Sequence, residues 1–218
     1  MRALKRSACT WSFVLWICAA AWPVQAGVIV NTFGPGDSYS VGAGYTIGLS
    51  PDMFVQGDAF TPGSTVTLGK IELAVGLVSG SNELDVWLMS DAVGQPDAII
   101  ESFHFSGAMG AFGNLNPLLS ANSTLHPVLT GGTQYWLIAS APEAGTWAAW
   151  NENTIGALGL HAERSSAGPS WDVHPDQTLG VFRVSSLETG IPEPGTLYLL
   201  VSGLALLGLR RFGSRRSR

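Results

Sequence analysis

The sequence has little cysteine and little charge, and between residues 27 and 191 no stretch longer than 13 residues is free of glycine and proline. Two cysteines, Cys9 and Cys18, stand among 218 residues, too few for a disulfide scaffold. Charged residues make up 12 % of the chain and the net charge is −5, while mean hydropathy is slightly positive at +0.24. These values exclude an intrinsically disordered or collagen-like chain. A pI near 5.2 argues against a nucleic-acid binder, which needs Lys and Arg to neutralise phosphates. Also missing are a Walker loop, a Gly-x-Ser-x-Gly elbow and a His-Glu-x-x-His motif, so the common nucleotide, acyl-transfer and zinc-protease signatures are absent. Gly42-Ala-Gly44 lacks the third glycine of a dinucleotide-binding turn.

The charge that is present is partitioned. Residues 1–26 carry Arg2, Lys5 and Arg6 and no acid. Residues 27–191 carry only Lys70, Arg164 and Arg183 against 15 Asp and Glu, a balance of −12. The last 27 residues carry Glu193 and five arginines. An acidic body therefore lies between two basic, apolar ends.

The first end has the three parts of a secretory signal peptide. A charged start precedes an apolar run from Trp11 to Trp22, and Val24-Gln25-Ala26 precedes Gly27. Cleavage is expected between Ala26 and Gly27 by signal peptidase. The apolar run is too short for an uncleaved anchor, which needs about 20 residues. Both cysteines fall in this peptide, so the mature chain is expected to rely on packing alone.

The second end reads Pro192-Glu193-Pro194, then a largely apolar run from Leu197 to Leu209, then Arg210-Arg211 and Arg215-Arg216. The prolines keep the motif out of regular helix. Thirteen residues of helix span about 20 Å, short of a hydrocarbon core of about 30 Å. The arginine cluster is expected to stay cytoplasmic as a stop signal, leaving the body outside. This tripartite tail resembles the PEP-CTERM sorting signals of Gram-negative bacteria. The resemblance implies recognition by an exosortase, processing near Pro192–Pro194, membrane attachment until then, and a place at the cell surface or in an exopolysaccharide matrix. The expected layout is a signal peptide over 1–26, an ectodomain over 27–188 and a sorting signal over 189–218.

The body alternates with period two. Leu84, Val86 and Leu88 fall on one side of Asp85, Trp87 and Met89, and Tyr135, Leu137 and Ala139 alternate with Gln134, Trp136 and Ile138. Ile71, Leu73, Val75 and Leu77 read as one more such run. Further strand candidates are 28–33, 53–60, 99–105, 146–151 and 179–184. Gly- and Pro-rich turns separate them, as at Gly34–Asp37, Thr61–Gly63, Gly80–Asn82, Asp91–Pro96 and Thr130–Gly132. The expected fold is all-β, an antiparallel jelly-roll-like sandwich. Asn31–Tyr39, Phe60–Gly63, Leu88–Pro96 and Tyr135–Leu137 resemble the choice-of-anchor class of secreted bacterial domains. That resemblance implies the fold and an exported role and carries no catalytic residue.

Two constellations bear on chemistry. Trp171-Asp172-Val173-His174-Pro175-Asp176 would place Asp172, His174 and Asp176 on one side if extended, an arrangement able to ligate a metal, but Pro175 and Gly168-Pro169 favour an ordinary polar loop. Asp91 and Asp97 flank a turn; they could offer oxygens to Ca²⁺, although turn-forming Asp is the commoner role. No metal or cofactor is expected. Of the five tryptophans in the body, Trp136 reads as structural, and Trp147, Trp150 and Trp171 as candidates for stacking on a sugar ring. The reading is a non-enzymatic surface or matrix protein. A carbohydrate-binding module is the alternative, and a glycoside hydrolase, which would need two carboxylates across a cleft, is third.

Overall fold

The computed structural model describes residues 27–165, 168 and 170–187. They are all-β, and no α-helix occurs among them. In chain order the strands are β1 (Val28–Asn31), β2 (Gly44–Gly48), β3 (Phe54–Phe60), β4 (Val66–Leu73) and β5 (Val75–Gly80). There follow β6 (Glu83–Ala92), β7 (Gln95–Ser106), β8 (Gly110–Ala111), β9 (Leu119–Asn122) and β10 (Val128–Leu129). The last are β11 (Tyr135–Ser140), β12 (Thr146–Asn151), β13 (Leu158–Ser165), β14 (Asp172–Thr178) and β15 (Phe182–Ser186). The expected strands at 28–33, 53–60, 99–105 and 146–151 all fall on observed ones. The run 179–184 begins earlier than β15 because Leu179 and Gly180 lead into it.

Two sheets result. The smaller has the order β1-β15-β4, with β9 and β10 both paired to β4. The larger runs β7-β6-β11-β3-β2-β12-β5-β8, and β13 and β14 extend from β3. Every pairing is antiparallel except β5 with β8. The sheets share one core. Leu68, Ile71, Leu73, Phe182 and Val184 come from the smaller sheet; Ile47, Leu84, Val86, Leu88, Leu137 and Trp150 come from the larger. On β6 and β11 the alternate residues Met89, Trp136 and Ile138 form a second buried cluster on the opposite face. The period-two reading of both strands is thus correct on each face.

The run 71–77 departs from the expectation of one strand. Its apolar residues do face the core throughout, but the backbone changes sheets at Ala74. Ile71 and Leu73 pair with Val184 and Phe182 of β15, whereas Val75 and Leu77 pair with Trp150 and Ala148 of β12. Ala74 is pinned at the crossing by its N–H to Val181 O and its carbonyl to Asn151 N. Facing pattern is preserved because the side-chain alternation is independent of which neighbour supplies the hydrogen bonds.

With no disulfide in the described residues, a few buried carboxylates fasten the loops. Glu101 on β7, 3 % exposed, accepts from Ser123 Oγ at 2.7 Å and from the N–H groups of Thr124 (2.7 Å) and Leu125 (3.1 Å). Glu72 bonds Arg183 at 2.6 Å and Lys70 at 2.9 Å, and Arg183 reaches on to Asp37 at 2.8 Å. Burial opposes ionisation of both glutamates, but these hydrogen bonds outweigh it and hold both carboxyls below the ordinary value of 4.5.

A depressed carboxyl contributes stability that is present above its unfolded value and is lost as pH falls through the folded one. Unfolding free energy is therefore expected to decline as pH drops below 4.5. In urea titrations Glu101→Ala, which strands the donors of Ser123, Thr124 and Leu125, should cost about 2–4 kcal/mol at pH 7 and flatten that acid decline. An unchanged pH profile in the variant would contradict this role.

Candidate functional site

The hairpin of β13 and β14 collects the polar side chains that the core does not use. β13 lies between β3 and β14, with His161 opposite Asp58 and His174, and Glu163 opposite Gln56 and Asp172. Residues paired directly across antiparallel strands share a face. Phe60, two residues beyond Asp58 on β3, belongs to the shared core. His161, Glu163, Asp172 and His174 therefore project on the core side of the large sheet. His161 is 2 % exposed, whereas Glu163, Asp172 and His174 reach solvent.

At the buried end, His161 Nδ1 lies 2.8 Å from Asp58 Oδ1 and Nε2 lies 2.9 Å from Gln56 Oε1. Gln56 Nε2 donates to Thr46 O at 2.8 Å, which fixes the amide with its oxygen towards the ring. Nε2 of His161 must therefore donate, and the gap to Asp58 holds a second hydrogen. The other Asp58 oxygen accepts from Gly180 N at 2.7 Å. Tyr45 stacks on the imidazole with centroids 3.8 Å apart, and its hydroxyl donates to Thr178 O at 2.6 Å. Burial pushes the Asp58 carboxyl above its ordinary value, against the hydrogen bonds and charge of His161 and the Gly180 N–H. Burial, then the charges of Asp58, Glu152 and Glu163, push the Tyr45 phenol up to about 12. With both ring nitrogens engaged, His161 is a structural member of the site and offers no free lone pair.

At the exposed end, Glu163, Asp172 and His174 bring one ligand atom each to within 4.8 Å of one another. Beside them an open pocket of about 500 Å³ is lined by Phe54, Glu163, Arg164, Ser165, Ser170, Trp171 and Asp172. The Arg164 guanidinium sits over the Trp171 ring at 4.6 Å, on the sheet face opposite to Glu163 because the two are adjacent on β13.

This geometry corrects several expectations. The segment after Trp171 is a strand and not a loop. It tolerates Pro175 because β14 pairs only with β13 and leaves its other edge free. Asp172 and His174 do share a side, as extension requires, but Asp176 turns away at φ +56° and Glu163 stands with them instead. Trp150, expected at the surface, is fully buried. Its indole N–H donates to Val181 O at 3.0 Å and its ring packs on Phe182, so it is a core residue. Trp147 is 36 % exposed and Trp171 half-buried, while Trp136 is buried as expected.

Asp91 is a turn residue. One oxygen accepts from Gly94 N at 3.1 Å, and the other from Gln134 Nε2 and Trp136 Nε1. It thereby supports the tight β6–β7 hairpin, where Val93 and Gly94 both take positive φ. Asp97 is across that hairpin, 3.4 Å from Ser90 Oγ. Gly27 is bound to Ser186 of β15. Ala26, Pro192, Glu193, Pro194, Arg210, Arg211, Arg215 and Arg216 lie outside the described residues.

Sequence reading missed Gln56, Asp58, His161 and Glu163. The alternation of His161 and Glu163 with Ala162 and Arg164 carried a signal, but their partners come from about a hundred residues away on β3. No family model and no curated protein matches the chain. Removing one member of a buried, hydrogen-bonded pair is costly. Asp58→Ala should therefore lower unfolding free energy by about 3–5 kcal/mol in urea titrations, and a loss below about 1 kcal/mol would show that the His161 contact is dispensable.

Proposed function

We propose that the chain is an exported cell-surface or extracellular-matrix protein with a structural or adhesive, non-enzymatic role, sorted by an exosortase and associated with exopolysaccharide. The observation that carries this reading is the ordered tail of residues 192–218: Pro192-Glu193-Pro194, a short apolar run and the arginines at 210, 211, 215 and 216. The apolar, basic start ending at Ala26 supports it from the other side. In this reading signal peptidase releases Gly27, the tail holds the protein in the membrane until processing, and the two sheets form a jelly-roll-like sandwich outside. The all-β body suits such a role. It is acidic, with few cations, and so repels nucleic acid and anionic lipid alike.

A second reading, contact with polysaccharide, is favoured by the pocket beside β13 and β14. Trp171 lines it together with Arg164, Ser170, Glu163 and Asp172, and polar groups beside an aromatic suit the hydroxyls and the apolar face of a sugar ring. Trp147 is the one exposed indole among the described residues; Trp150 drops out of this reading.

Replacing Pro192, Glu193 and Pro194 by alanine should abolish C-terminal processing and leave the protein in the membrane fraction, measured by fractionation and mass spectrometry with and without the sorting enzyme. The same mature mass and location for both forms would overturn the sorting reading. Trp171→Ala should lower retention on isolated polysaccharide at least about threefold, equivalent to about 0.7 kcal/mol. Unchanged retention with Trp147→Ala added would remove the second reading.

A further inference from the structure

We infer that Glu163, Asp172 and His174 form a binding site for a first-row divalent transition ion of the Zn²⁺ class. The inference is independent of how the chain is sorted.

The argument starts from a single nitrogen. His174 Nε2 lies 3.4 Å from Asp172 Oδ2 and 3.8 Å from Glu163 Oε1. Both separations exceed the 2.7–3.2 Å of an N–H···O hydrogen bond, so Nε2 is hydrogen-bonded to neither oxygen. Around a tetrahedral Zn²⁺ bound at about 2.0–2.1 Å, neighbouring donors stand about 3.3–3.4 Å apart. The Asp172–His174 separation matches that spacing, and with all three donor atoms within 4.8 Å of one another a small rotation of the partly exposed Glu163 side chain brings the third donor to the same ion.

A second His–carboxylate cluster in the same protein provides the contrast. His104 on β7 meets Asp85 through Nδ1 at 2.8 Å and Glu83 through Nε2 at 3.1 Å. There each nitrogen has its own carboxylate at hydrogen-bonding distance. The donors sit on opposite sides of the ring and cannot converge on one point, and the Asp85 hydrogen bond leads in lifting the imidazole above its ordinary range. In that cluster each ring nitrogen has a hydrogen-bonded acceptor of its own; in the β13–β14 cluster His174 Nε2 has neither carboxylate at hydrogen-bonding distance.

The scaffold and the charge agree. Asp172 and His174 are two apart on β14, and Glu163 is the register partner of Asp172, so three donors are fixed by one hairpin. No Lys or Arg bridges either carboxylate among the described residues. Arg164 is turned to the other face over Trp171. His161, the register partner of His174, has both nitrogens committed to Asp58 and Gln56, which leaves three protein ligands and an open side towards solvent. One imidazole with two carboxylates suits Zn²⁺ and its neighbours, whereas Ca²⁺ would want six to eight oxygens.

The test uses the tag-free full chain in detergent, titrated with Zn²⁺ against a chromophoric chelator and with Co²⁺ as a spectroscopic probe. One ion per chain is expected whose dissociation constant rises at least about tenfold in His174→Ala and in Glu163→Gln, with loss of the Co²⁺ visible band, and is unmoved in His104→Ala. Both affected side chains are partly exposed, and circular dichroism of each variant confirms that the fold persists. Absence of an ion sensitive to His174→Ala at micromolar free Zn²⁺, or binding abolished by His104→Ala instead, would overturn the site.

Discussion

The buried carboxylate of Asp58 joins segments that the chain order keeps far apart. It sits on β3, takes a hydrogen from His161 on β13 and another from Gly180 just before β15. β3 belongs to the large sheet and β15 to the small one, so one side chain links the added hairpin, the large sheet and the entry to the small sheet. Burying a charge is costly unless it is paired and hydrogen-bonded, and here both oxygens are engaged. Gly180 is part of the arrangement for a steric reason as well. A Cβ there would lie 2.8 Å from the Trp150 indole, so the close approach of the Gly180 backbone to Asp58 requires that the residue have no side chain.

From this tie follows the division of the large sheet into two regions. Where the small sheet covers it, apolar residues of both sheets interlock around Trp150 and Phe182. Beyond that cover, the core-side face passes through Tyr45, His161 and Asp58 to Glu163, Asp172 and His174. Polarity rises with exposure along β13 and β14 because nothing apolar is available to bury those positions. The opposite face of the same strands is apolar, with Ala162, Leu160 and Val173 packing against Trp136 and Ile138. The hairpin is held by hydrophobic contact on one face, which frees the other face to carry charged groups.

What could be read from residue order was whatever depends on neighbours along one strand. Alternation in 84–89 and 134–139 located two strands and both of their faces, and the Gly- and Pro-rich turns bounded them. The sheet change at Ala74 left no trace, since side-chain facing continues unbroken while the hydrogen-bond partners change. Pro175 misdirected the reading of 172–178, because a proline within a strand is accommodated at a sheet edge or a bulge, and both depend on pairing: β14 is an edge strand whose register with β13 shifts at Pro175 and Asp176. Trp150 was misplaced for a related reason: its strand is flanked on both sides by β2 and β5, which a local pattern cannot reveal. At the candidate site, Asp172 and His174 were legible as an i, i+2 pair. Glu163 was not, because its place beside them depends on hairpin register.

The body's charge bears on the same place. Of its three cations, Lys70 and Arg183, both on the small sheet, are committed to Glu72 and Asp37, and Arg164 lies over Trp171. The strongly held carboxylates elsewhere are neutralised locally: Glu101 by loop N–H groups and a hydroxyl, Asp91 by a turn N–H, an amide and an indole, Asp58 by His161. Among the described residues, Glu163 and Asp172 have only His174 as an ion-pair partner, at distances too long for a hydrogen bond. Two facing carboxylates repel each other unless a positive charge lies between them. A rigid antiparallel register forces Glu163 and Asp172 to remain opposite each other, so the repulsion is not relieved by moving apart. Some of it can be relieved by rotation into solvent, and the remainder favours whatever cation the third donor, His174, helps to hold.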